Sequence, residues 1–329
     1  MVKEIINGIY SFEVVLPENP LKWLNCYVIK GSNGGRDLLV DCGFRRQECI
    51  DSLLCGMEEL ELEFKNTDVL FTHLHTDHTG NADILQSLGC RLMMGEIDYK
   101  QLLKGNIPGS WEARSKRLGI PDEIMSDIVA HNPAIIYASK EFDVALLKGG
   151  DVLNYGGREM ECILTPGHTP GHMCLYDRKN KLMFTGDHIL FDITPNIVAW
   201  MDYPDSLGLY LNSLDKIERY DVELALPSHR TVGNKTIYER IEELKIHHAE
   251  RLKEALIVAR TMPGTSAYDM AGYIKWKISA KNWDDFPPGQ KWFAVGECMA
   301  HLEHLAATGS LYAQTDDRGV VRYYPISVH

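Results

Sequence analysis

Apolar and polar residues alternate over the first 45 positions of the chain, a pattern typical of half-buried β-strands. Turn-forming Pro, Asn and Gly residues divide the alternation into three predicted strands: GIYSFEVVL, NCYVIKG and DLLVDCG. A helix is predicted over 47–60, and the apolar run DVLF after it predicts a buried strand. The next two segments, NADILQSLG and CRLMMG, predict a short helix that ends at Gly89 and another strand.

The pattern changes at 96–140, where Lys, Glu and Ile recur at roughly helical spacing, so this range is predicted to be a helical insertion. Strand-like alternation returns in REMECILTPG, HMCLYD and KLMFTGD. Helices are predicted around 205–219 and over about 235–260, with the strand-like VELALPSHR between them. The chain therefore mixes strands and helices along most of its length.

The C-terminal part of the chain is predicted to be a separate small domain. TMPGTSAYD is interpreted as a linker, and two helical stretches and two strand-like runs joined by TDDRG follow it. Helices followed by a hairpin predict a winged-helix-like domain over 262–329, after a main domain over 1–261. The tail carries six basic and seven acidic residues, whereas a DNA-reading wing needs a basic surface. We therefore interpret it as material that packs against the main domain, walls its pocket or forms a homodimer contact.

Composition narrows the class of protein. The 329 residues are 45% apolar and 24% charged, as in soluble globular proteins, and no apolar run reaches the 18 residues of a membrane span. The first 16 residues alternate and do not form a signal peptide, so a cytoplasmic location is expected. A net charge of −12 disfavours nucleic-acid partners without excluding a local basic patch. The eight cysteines lack a CxxC pair and are predicted to be buried free thiols.

One segment concentrates side chains that bind metals. FTHLHTDHTG follows the DVLF strand and packs three histidines and an aspartate into the six positions His73–His78. Three more segments place such residues directly after apolar runs: LTPGHTPGH, FTGDH and LPSHR. Because a rigid sheet holds the loops at its strand ends in place, these segments predict a metal site.

The number of donors favours two metal ions over one. One ion would be held by three imidazoles, those of His73, His75 and His168. A second ion would be held by Asp77, His78 and His229, with Asp187 as the bridge between the two ions. Seven protein ligands exceed what a single tetrahedral site uses, and two nearby ions can activate one water.

The motif THLHTDHTG resembles the H-x-H-x-D-H signature of the metallo-β-lactamase superfamily of metallohydrolases. TPGHTPGH, FTGDH and LPSHR are similar to later ligand motifs of this family and occur in the same order, although Ser228 replaces the usual glycine. The resemblance covers residues 1 to about 260, and the tail resembles the branch with a C-terminal winged-helix domain. It implies an α/β (α+β) fold, an αββα sandwich with the metals at one edge of the paired sheets. It also implies the ligand roles assigned above.

Four further residues are candidates for a supporting role. His172 and His188 are predicted to hydrogen-bond the ligands or to face the substrate, since such partners fix imidazole tautomers. His248 and Arg251 lie one turn apart on the predicted long helix. They are interpreted either as part of a solvated or half-buried helix face or as groups that reach the site or an anionic substrate.

These features predict a metal-dependent hydrolase. A hydroxide shared by the two ions would attack an acyl carbonyl, and Asp77 would orient it and pass a proton to the leaving group. Zinc is favoured, with manganese or iron as alternatives. The acidic chain and the aromatic residues in segments flanking the motifs favour an ester, thioester or lactone of a small molecule. These aromatic residues are Trp23, Trp111, Phe191 and Trp200.

Other activities stay open at this point. The same pair of ions could cleave the phosphodiesters of RNA, which would make the protein an endoribonuclease. An iron-dependent oxygenase of the sulfur dioxygenase type shares the implied fold and some of its ligands. A binding module without activity is disfavoured because the ligand set is intact.

Overall fold

The computed structural model describes residues 1–105, 110–276 and 280–326, and in 110–112 it describes the backbone alone. The side chain of Trp111 therefore lies outside the described part. Among the described residues the chain forms a mixed α/β sandwich with two large β-sheets and a separate hairpin.

The first sheet contains seven strands in chain order. They are β1 Lys3–Ile6, β2 Ile9–Val15, β3 Trp23–Ile29, β4 Asp37–Val40, β5 Thr67–Phe71, β6 Arg91–Gly95 and β7 Ala145–Leu147. Strands β1 to β4 pair antiparallel, whereas β4 to β7 pair parallel. Of the parallel strands, β4 to β6 are mostly buried and have continuous apolar runs, which is why DVLF does not alternate. Their carboxyl ends meet at one edge of the sheet.

The second sheet has the strand order β12-β11-β10-β9-β8. Its strands are β8 Val152–Tyr155, β9 Arg158–Leu164, β10 Met173–Asp177, β11 Leu182–Gly186 and β12 Leu224–Pro227. Pairing is antiparallel except between β11 and β12. The remaining hairpin joins β13 Leu311–Thr315 to β14 Val321–Pro325.

Eleven α-helices are assigned in the described residues. They are α1 Gln47–Glu59, α2 Thr76–Thr79, α3 Ala82–Leu88, α4 Glu96–Gly105, α5 Ser110–Leu118, α6 Asp122–Ala130, α7 Pro133–Ile136, α8 Ser206–Ile217, α9 Ile237–Thr261, α10 Ala267–Ala271 and α11 Pro288–Ala307. Helix α3 ends where Gly89 adopts a left-handed conformation, as the sequence predicted. Among these helices none combines the length and the apolar character that a bilayer crossing requires.

Apolar side chains from both sheets form a shared core between them. Leu38, Leu70, Leu175 and other inward residues are fully buried in it. At the centre, the rings of Tyr27 and Phe184 meet edge to face with centroids 5.4 Å apart. Each such large side chain contributes about 1.5–3 kcal/mol by leaving water, so the core fixes the position of one sheet against the other. The other face of the first sheet packs against helix α1 through a second core that includes Leu53.

The chain divides into two compact units. The first contains both sheets and comprises Met1–Leu102, Pro133–Pro195 and Lys216–Arg240. The second comprises Leu103–Asn132, Asn196–Asp215 and the residues from Ile241 onward. Helices α5 and α6, within the predicted insertion, therefore share a unit with α10, α11 and the hairpin. A domain boundary at 261/262 and a winged-helix assignment stay predictions.

The segment TMPGTSAYD, which the sequence predicted to be a linker, is folded. Thr265 bridges to Tyr323 of β14, and Ser266 begins helix α10. The Ser266 hydroxyl accepts the amide hydrogen of Asp269, and the Asp269 carboxylate accepts that of Ser266. Such a capping box satisfies helix donors that would otherwise lack partners, and both Thr265 and Ser266 are buried.

All eight cysteines are free thiols, as predicted. Seven are buried, whereas Cys55 on helix α1 is exposed. Burial raises the pKa of thiols such as Cys26 and Cys174, which keeps them protonated.

Candidate metal centre

The loop after β5 carries four of the predicted ligands on a rigid base. Its first residue, Thr72, is anchored to Asp41 at the end of β4: the Thr72 amide and hydroxyl both donate to the Asp41 carboxylate at 2.9 Å. Helix α2 starts immediately after His75 and carries Asp77 and His78. The loop is thus tied to two neighbouring parallel strands before the first ligand is reached.

The structure brings all seven predicted ligands together in the first unit. Within each of three groups, one donor atom per residue lies within 4.8 Å of the others. The groups are His73, His75 and His168; Asp77, His78 and His229; and His73, His78 and Asp187. The first two match the two half-sites that the donor count predicted.

Asp187 lies between these half-sites. Its Oδ2 is 3.6 Å from Nε2 of His168, whereas its Oδ1 is 3.7 Å from Nε2 of His78 and 3.5 Å from Nε2 of His229. The two carboxylate oxygens therefore face different imidazoles. These separations exceed ordinary hydrogen bonds and are typical of donors that share a cation.

Hydrogen bonds fix the tautomers of three imidazoles. Nδ1 of His78 donates to the Asp41 carboxylate at 2.8 Å, and Nδ1 of His229 donates to the backbone carbonyl of Trp23 at 2.9 Å. The Thr72 hydroxyl proton is committed to Asp41, so Nδ1 of His73, 3.1 Å away, donates to the hydroxyl oxygen. In the neutral form, each ring therefore presents the lone pair of Nε2, as a metal requires.

His172 uses both of its ring nitrogens in hydrogen bonds. Nε2 accepts the amide hydrogen of Asp187 at 3.1 Å, so Nδ1 carries the proton and donates to Thr165 Oγ1 at 2.8 Å. His172 therefore positions the backbone of Asp187. Gly186 has a φ of +52°, and a Cβ there would lie 2.5 Å from Nε2 of His172, so a side chain is excluded. His188 is buried, with its ring centroid 6.0 Å from that of His172.

A buried carboxylate joins the two loops of the His73 half-site. Asp98, at the start of α4, accepts hydrogen bonds from the Leu74 amide, the Thr169 hydroxyl and the Gly171 amide. Burial raises the pKa of Asp98 to about 6, although the three donors oppose this shift. Asp98 thus holds the loop of His73 and His75 against the loop of His168.

Several of these supporting groups were missed at the sequence level. Asp41 follows the apolar run LLV in the same way that His73 follows DVLF, so its position at a parallel strand end was a usable signal. Asp98 lies in a range that reads only as helical. Backbone donors and acceptors, such as the carbonyl of Trp23, leave no mark in the sequence.

The electrostatics of the centre divide its histidines into two classes. Burial and the neighbouring imidazoles lower the pKa of His73 well below its usual value, and burial lowers that of His75 to about 3. Burial also lowers the pKa of His78, but the charge of Asp41 and the other carboxylates outweighs it, and the net pKa is raised. The pKa of His229 is also raised, because the charges of Asp187 and Asp77 outweigh the effect of burial. The half-site with the carboxylates therefore attracts positive charge.

The residues present suit divalent metal ions. Nε2 of His78, Nε2 of His229 and Oδ1 of Asp187 are buried, and no described residue makes a hydrogen bond of ordinary geometry to them. Buried polar atoms normally have partners, so these three atoms are suited to bind a cation. Imidazole with carboxylate is a donor set used for zinc, and also for iron and manganese.

His248 and Arg251 lie in the second unit. His248 is buried, with its Nδ1 3.2 Å from Nε2 of His301 and its ring beside Tyr210. Arg251 pairs with Glu254 at 2.8 Å and stacks over the ring of Trp276. His248 therefore does not lie on a solvated or half-buried helix face, and a role for either residue beside the metal centre stays a prediction.

Comparisons with known proteins agree with this geometry. The family model described as "Metallo-beta-lactamase superfamily" matches residues 24–229, and the model described as "Metallo-beta-lactamase-like, C-terminal domain" matches residues 285–326. Among solved structures, a metallo-beta-lactamase family protein from Thermus thermophilus superposes with a TM-score of 0.81 at 24% identity, covering 98% of this chain and 100% of the other. A beta-lactamase domain protein from Burkholderia ambifaria superposes with a TM-score of 0.79 at 25% identity. This match covers 99% of this chain and 93% of the other.

Several of the relatives carry names that describe an activity. The chain is 23% identical over 230 residues to "Acyl-coenzyme A thioesterase MBLAC2" of Homo sapiens, covering 65% of this chain and 76% of the relative. It is 26% identical over 218 residues to "Atrochrysone carboxyl ACP thioesterase" of Emericella nidulans, and this match covers 66% of this chain and 55% of the relative. Both names describe the cleavage of a thioester.

Proposed function

Because this chain belongs to the metallo-beta-lactamase superfamily, we propose that it hydrolyses an acyl thioester of a small molecule at a two-metal centre. The chain is a metal-dependent hydrolase. The observation that carries the proposal is the convergence of His78 Nε2, His229 Nε2 and Asp187 Oδ1, which are buried and lack ordinary hydrogen bonds to the described residues. The names of the two relatives favour a thioester over an ester or a lactone.

The proposed ligands form two half-sites. His73, His75 and His168 would hold one ion, Asp77, His78 and His229 the other, and Asp187 would contact both. Divalent ions at these donors would supply Lewis acidity toward an acyl oxygen and would lower the pKa of water toward neutrality.

Asp77 is the protein group best placed to handle a proton. Its side chain is 13% exposed, whereas His78 and His229 are fully buried, so Asp77 faces the open side of the centre. Burial would raise the pKa of Asp77, but His78 and His229 outweigh burial and lower it. Asp77 is therefore ionised near neutral pH, so it could take a proton from water as the water attacks the acyl carbon and then pass this proton to the departing thiolate.

Trp23 offers an apolar surface beside the centre. Its carbonyl holds His229, and its indole N–H donates to Asn25, which fixes the ring in place. The ring is partly exposed, and Arg230 stacks over it at 5.3 Å. We propose that this ring contacts the acyl group, whose apolar area would gain from leaving water.

A panel of substrates tests the proposal. Purified protein loaded with zinc is assayed with an acyl-coenzyme A thioester, a p-nitrophenyl ester, a lactone and single-stranded RNA. We expect thioester turnover that a chelator abolishes and that Asp77→Asn reduces at least about a hundredfold, as for the loss of an acid–base group.

Asp83→Asn is the matched control for the Asp77 variant. Asp83 is a nearby helix carboxylate that pairs with Arg45, so its loss should leave turnover nearly unchanged. Cleavage of RNA without thioester turnover would replace the proposal by the endoribonuclease alternative. Oxygen uptake by an iron-loaded protein without any hydrolysis would replace it by the oxygenase.

A further inference from the structure

Arg114 of helix α5, in the second unit, lies between two tryptophans. Its guanidinium carbon is 4.8 Å from the ring centroid of Trp292 and 5.4 Å from that of Trp200. Both contacts are of cation–π type, which arginine makes with its flat faces. One N–H of the group donates to the carbonyl of Ala199 at 3.1 Å. The two faces are therefore occupied, and other partners must bind at the edge of the guanidinium.

The positive charge of Arg114 lacks a carboxylate of its own. Among the described residues, no acid lies within ion-pair distance of it. Glu303 favours the charged form of Arg114 from a greater distance, but it already pairs with Arg117 at 2.5 Å. Asp205 is bound to Nδ1 of His304 at 2.8 Å. Glu303 is thus already paired with Arg117, and the positive charge of Arg114 has no close carboxylate among the described residues.

Hydrogen-bond donors are also in excess in this region. The indole N–H of Trp200 and Nε of Arg117 are buried and have no partner among the described residues. One acceptor, Oε2 of Glu303, is also buried without a hydrogen-bond partner among the described residues, and it cannot accept hydrogen bonds from all of these donors. A buried donor without a partner costs about 1–3 kcal/mol, so such an imbalance favours the binding of an acceptor-rich group.

A small recess that opens to solvent adjoins these groups. It is lined by Arg114, Arg117, Trp200 and apolar neighbours such as Met201 and Met299. Met201 is 50% exposed, which places it at the rim. The recess therefore combines a cationic wall with apolar sides.

We propose that this recess binds an oxyanion, a phosphate or carboxylate group, through the free edge of Arg114. The guanidinium fork matches the two oxygens of either group, and its stacking between indoles holds the fork in a fixed orientation before binding. The site lies wholly in the second unit and does not depend on the activity proposed for the metal centre.

Titration of the full chain with inorganic phosphate and with acetate tests the site. Isothermal calorimetry gives the affinity, and tryptophan fluorescence reports on Trp200 and Trp292. We expect at least one probe to bind, and the stronger probe to tell whether a tetrahedral or a planar anion fits better. Arg114→Met, which keeps much of the stacking bulk, should weaken binding about tenfold or more, as for a lost charged hydrogen bond.

Two further variants keep the test decisive. Arg114→Lys retains the charge without the fork, and we expect weaker binding if recognition is bidentate. Arg178→Met is the matched control, because Arg178 also stacks on a ring, that of Tyr176, but is exposed and pairs with Glu161. Absence of binding to the unaltered protein, or equal binding by Arg114→Met, would overturn the proposal. If Arg114→Met fails to fold, unchanged binding by Arg114→Lys overturns bidentate recognition.

Discussion

Nδ1 of His78 donates a 2.8 Å hydrogen bond to Oδ2 of Asp41, and both side chains are almost completely buried. Asp41 comes from the end of β4 and His78 from helix α2, so the bond ties a proposed metal ligand to a neighbouring strand of the same sheet. The same carboxylate holds Thr72 and, through its hydroxyl, His73. Asp41 therefore orients one proposed ligand in each half-site.

Replacing this carboxylate should weaken metal binding. We expect Asp41→Asn to lower metal affinity about 10–100-fold, the range seen when the partner of a ligating histidine is lost. Competition with a chelator measures the affinity. Asp37→Asn is the control, because Asp37 is a buried carboxylate at the other end of β4 that pairs with Lys30. An equal loss in both variants would point to a general effect on folding.

Metal stoichiometry should separate the half-sites. We expect the unaltered chain to bind two ions, and His75→Gln and His229→Gln to retain one ion each, since each variant leaves the donors of the other half-site in place. Elemental analysis after equilibrium dialysis gives the count. His131→Gln, at an exposed histidine, should retain both ions. If neither His75→Gln nor His229→Gln lost an ion, the proposed division of ligands would be wrong.

Gly186 should be far less replaceable than another glycine of similar backbone conformation. Gly186 and Gly233 both have positive φ, +52° and +63°, but a Cβ at Gly233 would meet nothing within 4 Å. The strain of an alanine in this conformation, about 1–2 kcal/mol, is common to both. The clash with His172 should make Gly186→Ala less stable by about a further 1–3 kcal/mol. Urea unfolding measures the difference, and equal losses would contradict the close approach.

Glu297 should contribute less to the stability of the folded chain as pH rises toward neutrality. Burial raises the pKa of Glu297 from 4.5 to about 7, although Arg251 opposes this shift. Between these values the Glu297 carboxyl binds its proton more tightly in the folded chain than in the unfolded chain, so its contribution to the free energy of unfolding falls as pH rises. Burial lowers the pKa of His248 and His301, whose contributions rise with pH. We therefore expect the free energy of unfolding of Glu297→Gln, relative to that of the unaltered protein, to increase from pH 4.5 to 7.

The comparison is made by chemical denaturation across pH 4.5 to 7, the interval set by the two pKa values. Glu254→Gln removes a more exposed carboxylate that also pairs with Arg251, and its profile should follow that of the unaltered protein. Glu303 also has a raised pKa, so its own contribution, which falls as pH rises, should persist in Glu297→Gln. Identical profiles for all three proteins would contradict the assignment.

The family, the fold class and the hydrolase class could be predicted from the sequence, and the comparisons confirm them. The reason is physical: parallel strands bring their carboxyl ends to one edge, so residues such as His73, which follows a buried strand, are placed by the sheet itself. The structure accordingly gathers the seven predicted ligands. Zinc as the metal, the homodimer and the cytoplasmic location stay predictions.

The supporting contacts were harder to predict because they depend on long-range geometry or on the backbone. His78 and Asp41 are 37 positions apart, and Asp41 reaches its partner from a backbone with φ of +61°. His229 is held by a carbonyl, which every residue has. The residues Pro, Gly, Thr and Ser in TMPGTSAYD indicate a loop, yet Ser266 is also a good helix cap, and sequence composition does not separate the two roles.

The proposed ligands come from both sheets of the sandwich. His73, His75, Asp77 and His78 follow β5 of the first sheet, whereas His168, Asp187 and His229 follow β9, β11 and β12 of the second. Metal ions at this edge would cross-link the two layers at a point where the apolar core gives way to charge. Their binding free energy would then be part of the folding free energy, and a chelator should lower the melting temperature as well as the activity.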